Sequence, residues 1–370
     1  MISTTLAPII ETTTKLNNTS ELQAIFITMK TVYTWLIPCM LFILLIAILG
    51  NGLIVLSSSW LSAPVSPYLK LCVSLAAADM WAAMLLASGL LVNSYLPVVH
   101  NIRLPMHCSE AVLEMVRMGG MLTSDMHLFA LAINQFLGTM YPLKYKIMVT
   151  TRRIRALILC LWLAPLLFVF SWFIQGFRND ECHFVSYNQF KFRITIFLIF
   201  MIPLISTLVI YGCILVKLLK AKVEFEAVTS DRRMEKINLK QTRSYSTRRT
   251  NVYSKLKLVW TTLLIVSTFS LSWGLCVLYF VLVCNDCILV YREDISITWS
   301  LVINSTVNSL VMIKLASNPF IYTLRIKAIR SSVDHFLGFL RRRKPAESKY
   351  SHLSMGNHSI CRSAVEPSAI

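Results

Sequence analysis

The chain has 370 residues, of which 56% are hydrophobic and 15% charged, and its mean hydropathy is +0.63. This composition excludes an ordinary water-soluble domain and favours a single body embedded in lipid. The net charge of +18 would suit a polyanion, but membrane topology accounts for it, so no nucleic-acid partner is expected.

Seven apolar runs, each long enough to cross about 30 Å of hydrocarbon, follow one another along the chain. They predict an all-α membrane protein, a seven-transmembrane helix bundle, because a membrane barrel would show alternating segments of about 10 residues. The predicted domain covers 33–323, with spans at about 33–56, 67–95, 109–140, 154–175, 192–219, 257–283 and 297–323.

Residues 1–32 are expected to form an extracellular N-terminal tail. Lys and Arg are dense on the opposite side, with twelve between Lys217 and Lys257 and a further cluster at Arg341–Lys344. By the positive-inside rule the C-terminus is cytosolic, and the chain is expected to be a multi-pass protein of the plasma membrane. Asn17 and Asn18 occupy N-x-S/T sequons in the tail and are candidate glycosylation sites.

Asp79 in the second span is an ionisable residue at membrane depth. Its insertion costs about 2.5 to 3.5 kcal/mol, so we expect it to face the bundle interior and to meet polar partners. Asn51 in the first span, Ser124 in the third and Asn318 in the seventh are the candidates for this internal polar pocket.

The third span carries Glu114 and Arg117 about one helical turn apart. Two interpretations stay open: the side chains neutralise each other, or Arg117 binds a ligand carboxylate or phosphate. Ser124, Asp125 and His127 are close in sequence, but adjacent helix residues point about 100° apart and cannot form a nucleophilic triad. No enzyme activity, cofactor or metal site is expected.

Four of the ten cysteines lie outside the membrane by this topology: Cys108, Cys182, Cys284 and Cys287. An even number on the oxidising side predicts disulfide bonds. Three pairings are possible, and we favour Cys108 with Cys182 and Cys284 with Cys287. Four cysteines within the spans are expected to be buried small apolar residues: Cys72, Cys160, Cys213 and Cys276.

Lys314 is the most unusual residue of the seventh span, because a mid-span lysine is too far from either interface to extend its ammonium into water. We expect it to pair with Asp79, with Asp125 nearby. After this span, residues 324–340 place apolar side chains on one helical face among basic residues, which predicts an amphipathic helix lying on the membrane lipid. Residues 341–370 are expected to form a cytosolic tail.

Six landmarks occur in order along the spans: GN at Gly50–Asn51, LAAAD at Leu75–Asp79, Trp162, Pro203 with Tyr211, FSLSW at Phe269–Trp273 and NPFIY at Asn318–Tyr322. Over about 33–340 the chain resembles the rhodopsin-like (class A) G protein-coupled receptors. The resemblance implies an extracellular ligand and a cytosolic heterotrimeric G protein, with arrestin as a further candidate partner. It also implies that Trp273 lies beneath the ligand and that Tyr211 and Tyr322 move inward in the active state. Pro319 removes a backbone hydrogen bond and is expected to distort its helix.

The chain departs from this family at the cytosolic end of the third span. The family has an acidic residue, Arg and Tyr there, whereas this chain has Asn134, Gln135 and Phe136. The family Arg pairs with its acidic neighbour at rest and meets the G protein when active, but Gln135 brings no charge to either contact. Lys255 stands where some members carry an acid that pairs with this Arg. The resting contact is therefore expected to be weak, and coupling to a G protein is in doubt.

Two departures concern the middle of the bundle. Leu275 replaces the usual proline of the sixth span, so this helix is expected to be straighter unless Gly274 bends it. Lys314 stands at a position that in many members lines a sodium pocket around the counterpart of Asp79, so its ammonium is expected to replace the ion.

The ligand class is constrained by Arg117, which stands where amine receptors carry an aspartate. An arginine disfavours an amine ligand and leaves lipids, small acids and peptides open. Two alternatives to a coupled receptor remain. One is an atypical receptor with weak or no G-protein coupling, in an arrestin or scavenging role, and the other is a membrane transporter or channel.

Overall fold

The computed structural model describes residues 19–102, 109–177, 190–231, 259–260, 263–264, 266–283 and 297–342. Over these residues the chain is almost wholly helical, which confirms the predicted all-α fold. Several sequence predictions lie outside the described residues and stay predictions: the glycosylation sites Asn17 and Asn18, the disulfide candidates Cys108, Cys182, Cys284 and Cys287, and Lys255.

The first half of the described chain forms four helices. The first ends in a short 3-10 turn, Ser58–Trp60, and the second is continued by a π turn, Leu91–Tyr95, and a last α turn, Leu96–Val99. The helices are α1, Thr19–Ser57; α2, Pro67–Leu90; α3, Ser109–Met140; and α4, Pro142–Met148.

The second half contributes five more helices among the described residues. A π turn, Ser270–Gly274, leads directly into the seventh, and one non-helical residue, Ile326, separates the last two. The helices are α5, Thr151–Phe177; α6, Phe190–Asp231; α7, Leu275–Leu282; α8, Ile297–Arg325; and α9, Lys327–Arg342.

The helices of the bundle differ in how apolar their sequences are. Four described stretches are long and apolar enough to cross a membrane, Phe26–Trp60, Pro67–Val99, Thr151–Trp172 and Arg193–Val223, and Val266–Leu282 is a shorter apolar helix. Helices α3 and α8 are more polar, because they carry buried side chains such as Asp125 and Lys314. These polar groups point into the bundle, where α3 packs against α2, α5 and α6, and α8 packs against α1, α2 and α7.

Several helix boundaries differ from the sequence prediction, and three of them concern the ends of the chain or a long extension. Helix α1 begins at Thr19, inside the predicted N-terminal tail, and α6 continues beyond the predicted end of its span to Asp231. The added turns of α6 contain Lys, Glu and Ala, which have high intrinsic helix propensity. The predicted amphipathic helix at 324–340 is observed as α9, which starts later because the chain leaves helical geometry at Ile326.

The sixth span is not the regular helix that the loss of its proline suggests. Residues Ser270–Gly274 form a π turn, in which one extra residue is accommodated within the helix. This irregularity surrounds Trp273 and includes Gly274, the residue at which the sequence left room for a bend.

Helices α1 and α8 approach each other very closely at Gly50. A Cβ atom at this position would lie 2.8 Å from Cγ of Pro319, whose ring cannot rotate away. The GN landmark therefore has a packing reason, since only a residue without a side chain admits α8 at this distance.

Helix α9 packs against the end of α1. The Trp60 ring lies 5.0 Å from the Phe336 ring and 5.7 Å from the Phe339 ring, between centroids. The Ser332 hydroxyl donates a hydrogen bond to the Ser57 carbonyl. These contacts hold α9 across the base of α1.

The prediction that four span cysteines are buried is wrong for two of them. Cys72 and Cys276 are buried, whereas Cys160 and Cys213 are exposed on the outside of their helices. The outer faces of α5 and α6 are apolar and face lipid, so a small apolar thiol is equally compatible with that surface.

Candidate functional site

Asp79 of α2 is the centre of a polar cluster that joins three helices. Its carboxylate is fully buried. Lys314 Nζ of α8 lies 3.0 Å from Asp79 Oδ1, and the Ser124 hydroxyl of α3 donates to the same oxygen at 2.7 Å. The Asn318 side-chain amide, one turn beyond Lys314 on α8, donates to Oδ2. Both carboxylate oxygens are thus satisfied by side chains from α3 and α8.

The Lys314 ammonium is enclosed by this cluster, with only 1% of its side chain exposed. Besides Asp79, it reaches the Ser124 hydroxyl at 3.5 Å and lies 4.9 Å from the centroid of the Phe269 ring. An ammonium has three protons and no acceptor, and the negative face of an aromatic ring attracts it. The site therefore satisfies a charge that has no access to water.

Asn51 does not join this cluster by a hydrogen bond, contrary to the sequence expectation. Its side-chain amide donates to the Ala47 carbonyl at 2.9 Å and to the Leu315 carbonyl at 3.1 Å. The second bond crosses from α1 to α8, next to the close approach of Gly50 and Pro319. Asn51 therefore ties α1 to the helix that carries Lys314, and acts on the cluster only through that helix.

Asp125 is buried, with 2% of its surface exposed, but it forms no ion pair with Lys314 in the described structure. Its Oδ2 atom has no hydrogen-bond partner among the described residues. The Lys314 ammonium thus pairs with Asp79 and not with Asp125, although Asp125 follows Ser124 directly on α3.

A second polar network, which the sequence analysis did not identify, joins α2, α3 and α5. Trp162 Nε1 donates to the Ser74 hydroxyl at 3.2 Å, and Ser74 lies 2.8 Å from His127 Nε2. His127 Nδ1 lies 2.7 Å from the Thr123 carbonyl, which can only accept. Neutral His127 therefore carries its proton on Nδ1, so that Nε2 accepts from Ser74. The available signal was the presence of Ser74 and His127 in otherwise apolar spans.

At the other end of α3, Asn134 and Gln135 are buried and Phe136 is half-buried. The Tyr145 hydroxyl of α4 donates to Asn134 Oδ1 at 3.0 Å. Burial raises the pKa of Tyr145 above its ordinary value, although the hydrogen bond to Asn134 acts in the opposite direction, so the hydroxyl stays protonated as a donor. A neutral hydrogen bond thus connects α3 to α4 at the position where the family carries a charged pair.

The two tyrosines expected to move during activation are fully buried. Tyr211 of α6 belongs to a small apolar cluster with Ala132 of α3 and with Val266 of the sixth span. Tyr322 lies in the main core, and its hydroxyl has no hydrogen-bond partner among the described residues. The structure places these two side chains in separate clusters.

Near the start of α3, Glu114 and Arg117 form a buried ion pair. Trp273 is also buried, with its ring stacked on Phe200 of α6 at 6.1 Å between centroids and tilted against Phe269 at 6.2 Å. Phe269 in turn contacts the Lys314 ammonium, so an aromatic chain connects Trp273 to the Asp79 cluster.

Arg193 of α6 is a further buried charge that no sequence pattern indicated. Its Nη1 donates to the carbonyls of Phe280 at 2.9 Å and Val283 at 2.8 Å, and the guanidinium lies 4.6 Å from the Phe280 ring centroid. These carbonyls lie at the C-terminal end of α7 and lack intrahelical partners there. Arg193 therefore caps α7 from the neighbouring helix.

Comparison with known proteins identifies the family. No curated protein matches the chain at a significant level. The sequence model of the 7 transmembrane receptor (rhodopsin family) matches residues 50–322, which is well over half of the chain and runs from the Gly50 contact to the NPFIY segment. The chain therefore belongs to the rhodopsin family of seven-transmembrane receptors.

Proposed function

We propose that the chain is a plasma-membrane receptor in which an extracellular ligand rearranges the helices and a cytosolic heterotrimeric G protein responds. Its resting state is set by an internal ammonium in place of a bound sodium ion. The family is a non-enzymatic signalling family, and this membership replaces the transporter or channel alternative. The observation that carries the proposal is the buried contact between Lys314 and Asp79.

The geometry around Asp79 does not suit a second cation. Lys314, Ser124 and Asn318 all donate to its two oxygens, so a metal ion would have to displace a donor. An ion beside the ammonium would also be repelled by about 4 kcal/mol at 4 Å, for an effective dielectric constant of 20. The lysine is covalently part of α8, so any motion of this helix moves the ammonium with it.

The ligand is proposed to be a lipid, a small acid or a peptide, with Arg117, Glu114 and Trp273 as candidate binding residues. Arg117 lies seven residues before Ser124 on α3, which places it about 10 Å from the Asp79 cluster along the helix axis. An amine would meet the guanidinium's positive charge, whereas a ligand carboxylate could replace Glu114 and bind the guanidinium bidentately. Displacing Glu114 would also leave its buried carboxylate without the Arg117 partner. The carboxylate would then need water or another polar group, and this requirement links ligand binding to a rearrangement of α3.

Coupling is proposed to be weaker than in family members that carry an arginine at the position of Gln135. A hydrogen bond to a charged group contributes about 1.5 to 3 kcal/mol and a neutral one about 1, so the missing charge costs transducer binding about 1 kcal/mol. The buried amides at Asn134 and Gln135 equally favour a second candidate function. In that candidate, the receptor couples weakly or not at all and acts through arrestin or by scavenging its ligand.

The test is a G-protein activation assay in cells that express the wild-type chain, Gln135→Arg or the matched control Gln135→Glu. The arginine variant is expected to raise basal or ligand-stimulated activation about fivefold, the equivalent of about 1 kcal/mol, and the glutamate variant is expected not to. Silence of all three, without ligand and across a ligand library, would contradict G-protein coupling and favour the second candidate. Arrestin recruitment in the same cells then tests that candidate directly.

A further inference from the structure

A groove that the proposed receptor mechanism does not use lies against one face of the second half of α6. The groove has a volume of 760 Å³ and its described lining residues are Val209, Gly212, Cys213, Val216, Lys217, Lys220 and Ala221. They recur at intervals of three and four and so share one side of the helix. The opposite side carries Tyr211, Ile214 and Leu218, which are buried against the bundle.

Gly212 gives the groove its depth. A Cβ atom built at this position would meet no heavy atom within 4 Å, so close helix packing does not explain the glycine. A glycine inside a helix costs about 0.5 to 1 kcal/mol relative to alanine. The absence of a side chain leaves a hollow between the exposed side chains of Val209 and Val216.

The groove changes from apolar to cationic along its length. Its described lining residues include two exposed ammonium groups, Lys217 and Lys220, and no carboxylate. From Val209 to Lys217 the helix rises about 12 Å, close to the roughly 15 Å of hydrocarbon in one leaflet. When Val209 lies near the middle of the bilayer, both lysines therefore lie at the level of the lipid headgroups.

We propose that this groove binds a phospholipid with a net negative headgroup. One acyl chain lies over Gly212 between Val209 and Val216, and the phosphate lies between the ammonium groups of Lys217 and Lys220. A zwitterionic lipid carries a phosphate too, but its own cation neutralises the headgroup and opposes the two lysines. The site depends neither on the receptor's ligand nor on its coupling, so it is tested separately from the proposed function.

The experiment uses the full chain purified in detergent and titrated with phosphatidylglycerol or with phosphatidylcholine of the same acyl chains. Native mass spectrometry counts the bound lipids. The wild-type protein is expected to retain phosphatidylglycerol in preference to phosphatidylcholine. The double variant Lys217→Gln/Lys220→Gln is expected to bind phosphatidylglycerol about twenty-five times more weakly, from roughly fivefold per lysine. Gly212→Phe, which fills the hollow between Val209 and Val216, is expected to weaken binding of both lipids.

The matched control is Lys144→Gln/Lys146→Gln, which removes the same charge from exposed lysines of α4 outside the groove. It is expected to keep the wild-type preference. Equal binding of the two lipids by the wild-type protein, or an equal loss in the control and the groove variants, would overturn the proposal. The variant Lys217→Arg/Lys220→Arg keeps both positive charges and is expected to retain phosphatidylglycerol. This result would show that the glutamine variant loses binding through its missing charge and not through misfolding.

Discussion

Asp79 and Lys314 are buried together. The attraction between them only narrowly exceeds the hydration free energy that both charges lose. Each buried charge loses several kcal/mol of hydration, and the attraction between the two ions repays this only when the remaining lone pairs and protons are also satisfied. Ser124 and Asn318 satisfy the carboxylate, and the Phe269 ring faces the ammonium. The pair is therefore stable as a unit and costly to break on one side.

The first prediction concerns this interdependence. In sodium-free buffer, Lys314→Met leaves a buried carboxylate unpaired and is expected to destabilise the receptor by about 3 to 5 kcal/mol. The double variant Asp79→Asn/Lys314→Met removes both charges and is expected to lose much less. Thermal unfolding of Lys314→Met, Asp79→Asn and the double variant measures the coupling free energy. Additive losses would contradict a direct dependence of one charge on the other.

Much of this cluster could be anticipated from sequence. An unpaired aspartate or lysine at membrane depth is costly in free energy, so a contact between the two could be expected. The role of Asn51 could not be predicted, because its choice of the Leu315 carbonyl depends on how α1 crosses α8. The same limit applies to His127, whose partners Ser74 and Thr123 come from two different helices.

At the scale of elements, the crossing of α1 and α8 depends on a missing side chain. The sequence identifies GN as a landmark, but the distance of 2.8 Å between a built Cβ and the Pro319 ring depends on backbone geometry that no local pattern contains. Likewise, Gly274 allowed for a bend in the sixth span, but the sequence did not specify that the irregularity would be the π turn Ser270–Gly274. Helix existence follows from hydropathy, whereas helix contacts follow from packing.

The second prediction tests this crossing. Gly50→Ala forces α1 and α8 apart and is expected to destabilise the receptor by about 1 to 3 kcal/mol, the usual cost of overpacking. Gly212→Ala is the control, because nothing lies within 4 Å of its Cβ, and it is expected to be neutral or to stabilise by up to about 1 kcal/mol. Thermal unfolding compares the two. Equal effects would show that the Gly50 contact is relaxed at little cost.

At the scale of the whole molecule, the proposed replacement of a sodium ion by the Lys314 ammonium implies a resting state that does not depend on the surrounding sodium concentration. A sodium ion can enter and leave a pocket, and its occupancy follows its concentration. An ammonium carried by α8 is present at every salt composition, so only movement of the helix can withdraw it from Asp79.

The third prediction follows from this difference. The melting temperature of the wild-type receptor is expected to be the same in sodium chloride and in choline chloride of equal ionic strength. Lys314→Ala frees Asp79 for a metal ion and is expected to gain about 1 kcal/mol from sodium at roughly five times its Kd. Lys144→Ala, which removes an exposed lysine of α4, serves as the control. If sodium raised the melting temperature of the wild-type protein as much as that of Lys314→Ala, the proposal that the ammonium replaces the ion would be wrong.

Helix α9 is attached to both α8 and α1, and these attachments affect how α8 can move. The helix is joined to α8 through the single non-helical residue Ile326, whose N–H donates to Tyr322 and whose carbonyl accepts from Arg330. Along its length, α9 rests instead on α1, through Trp60 and Ser57. Because Asn51 and Gly50 also join α1 to α8, a shift of α8 that withdraws Lys314 from Asp79 would have to break these contacts or move α1 and α9 with it.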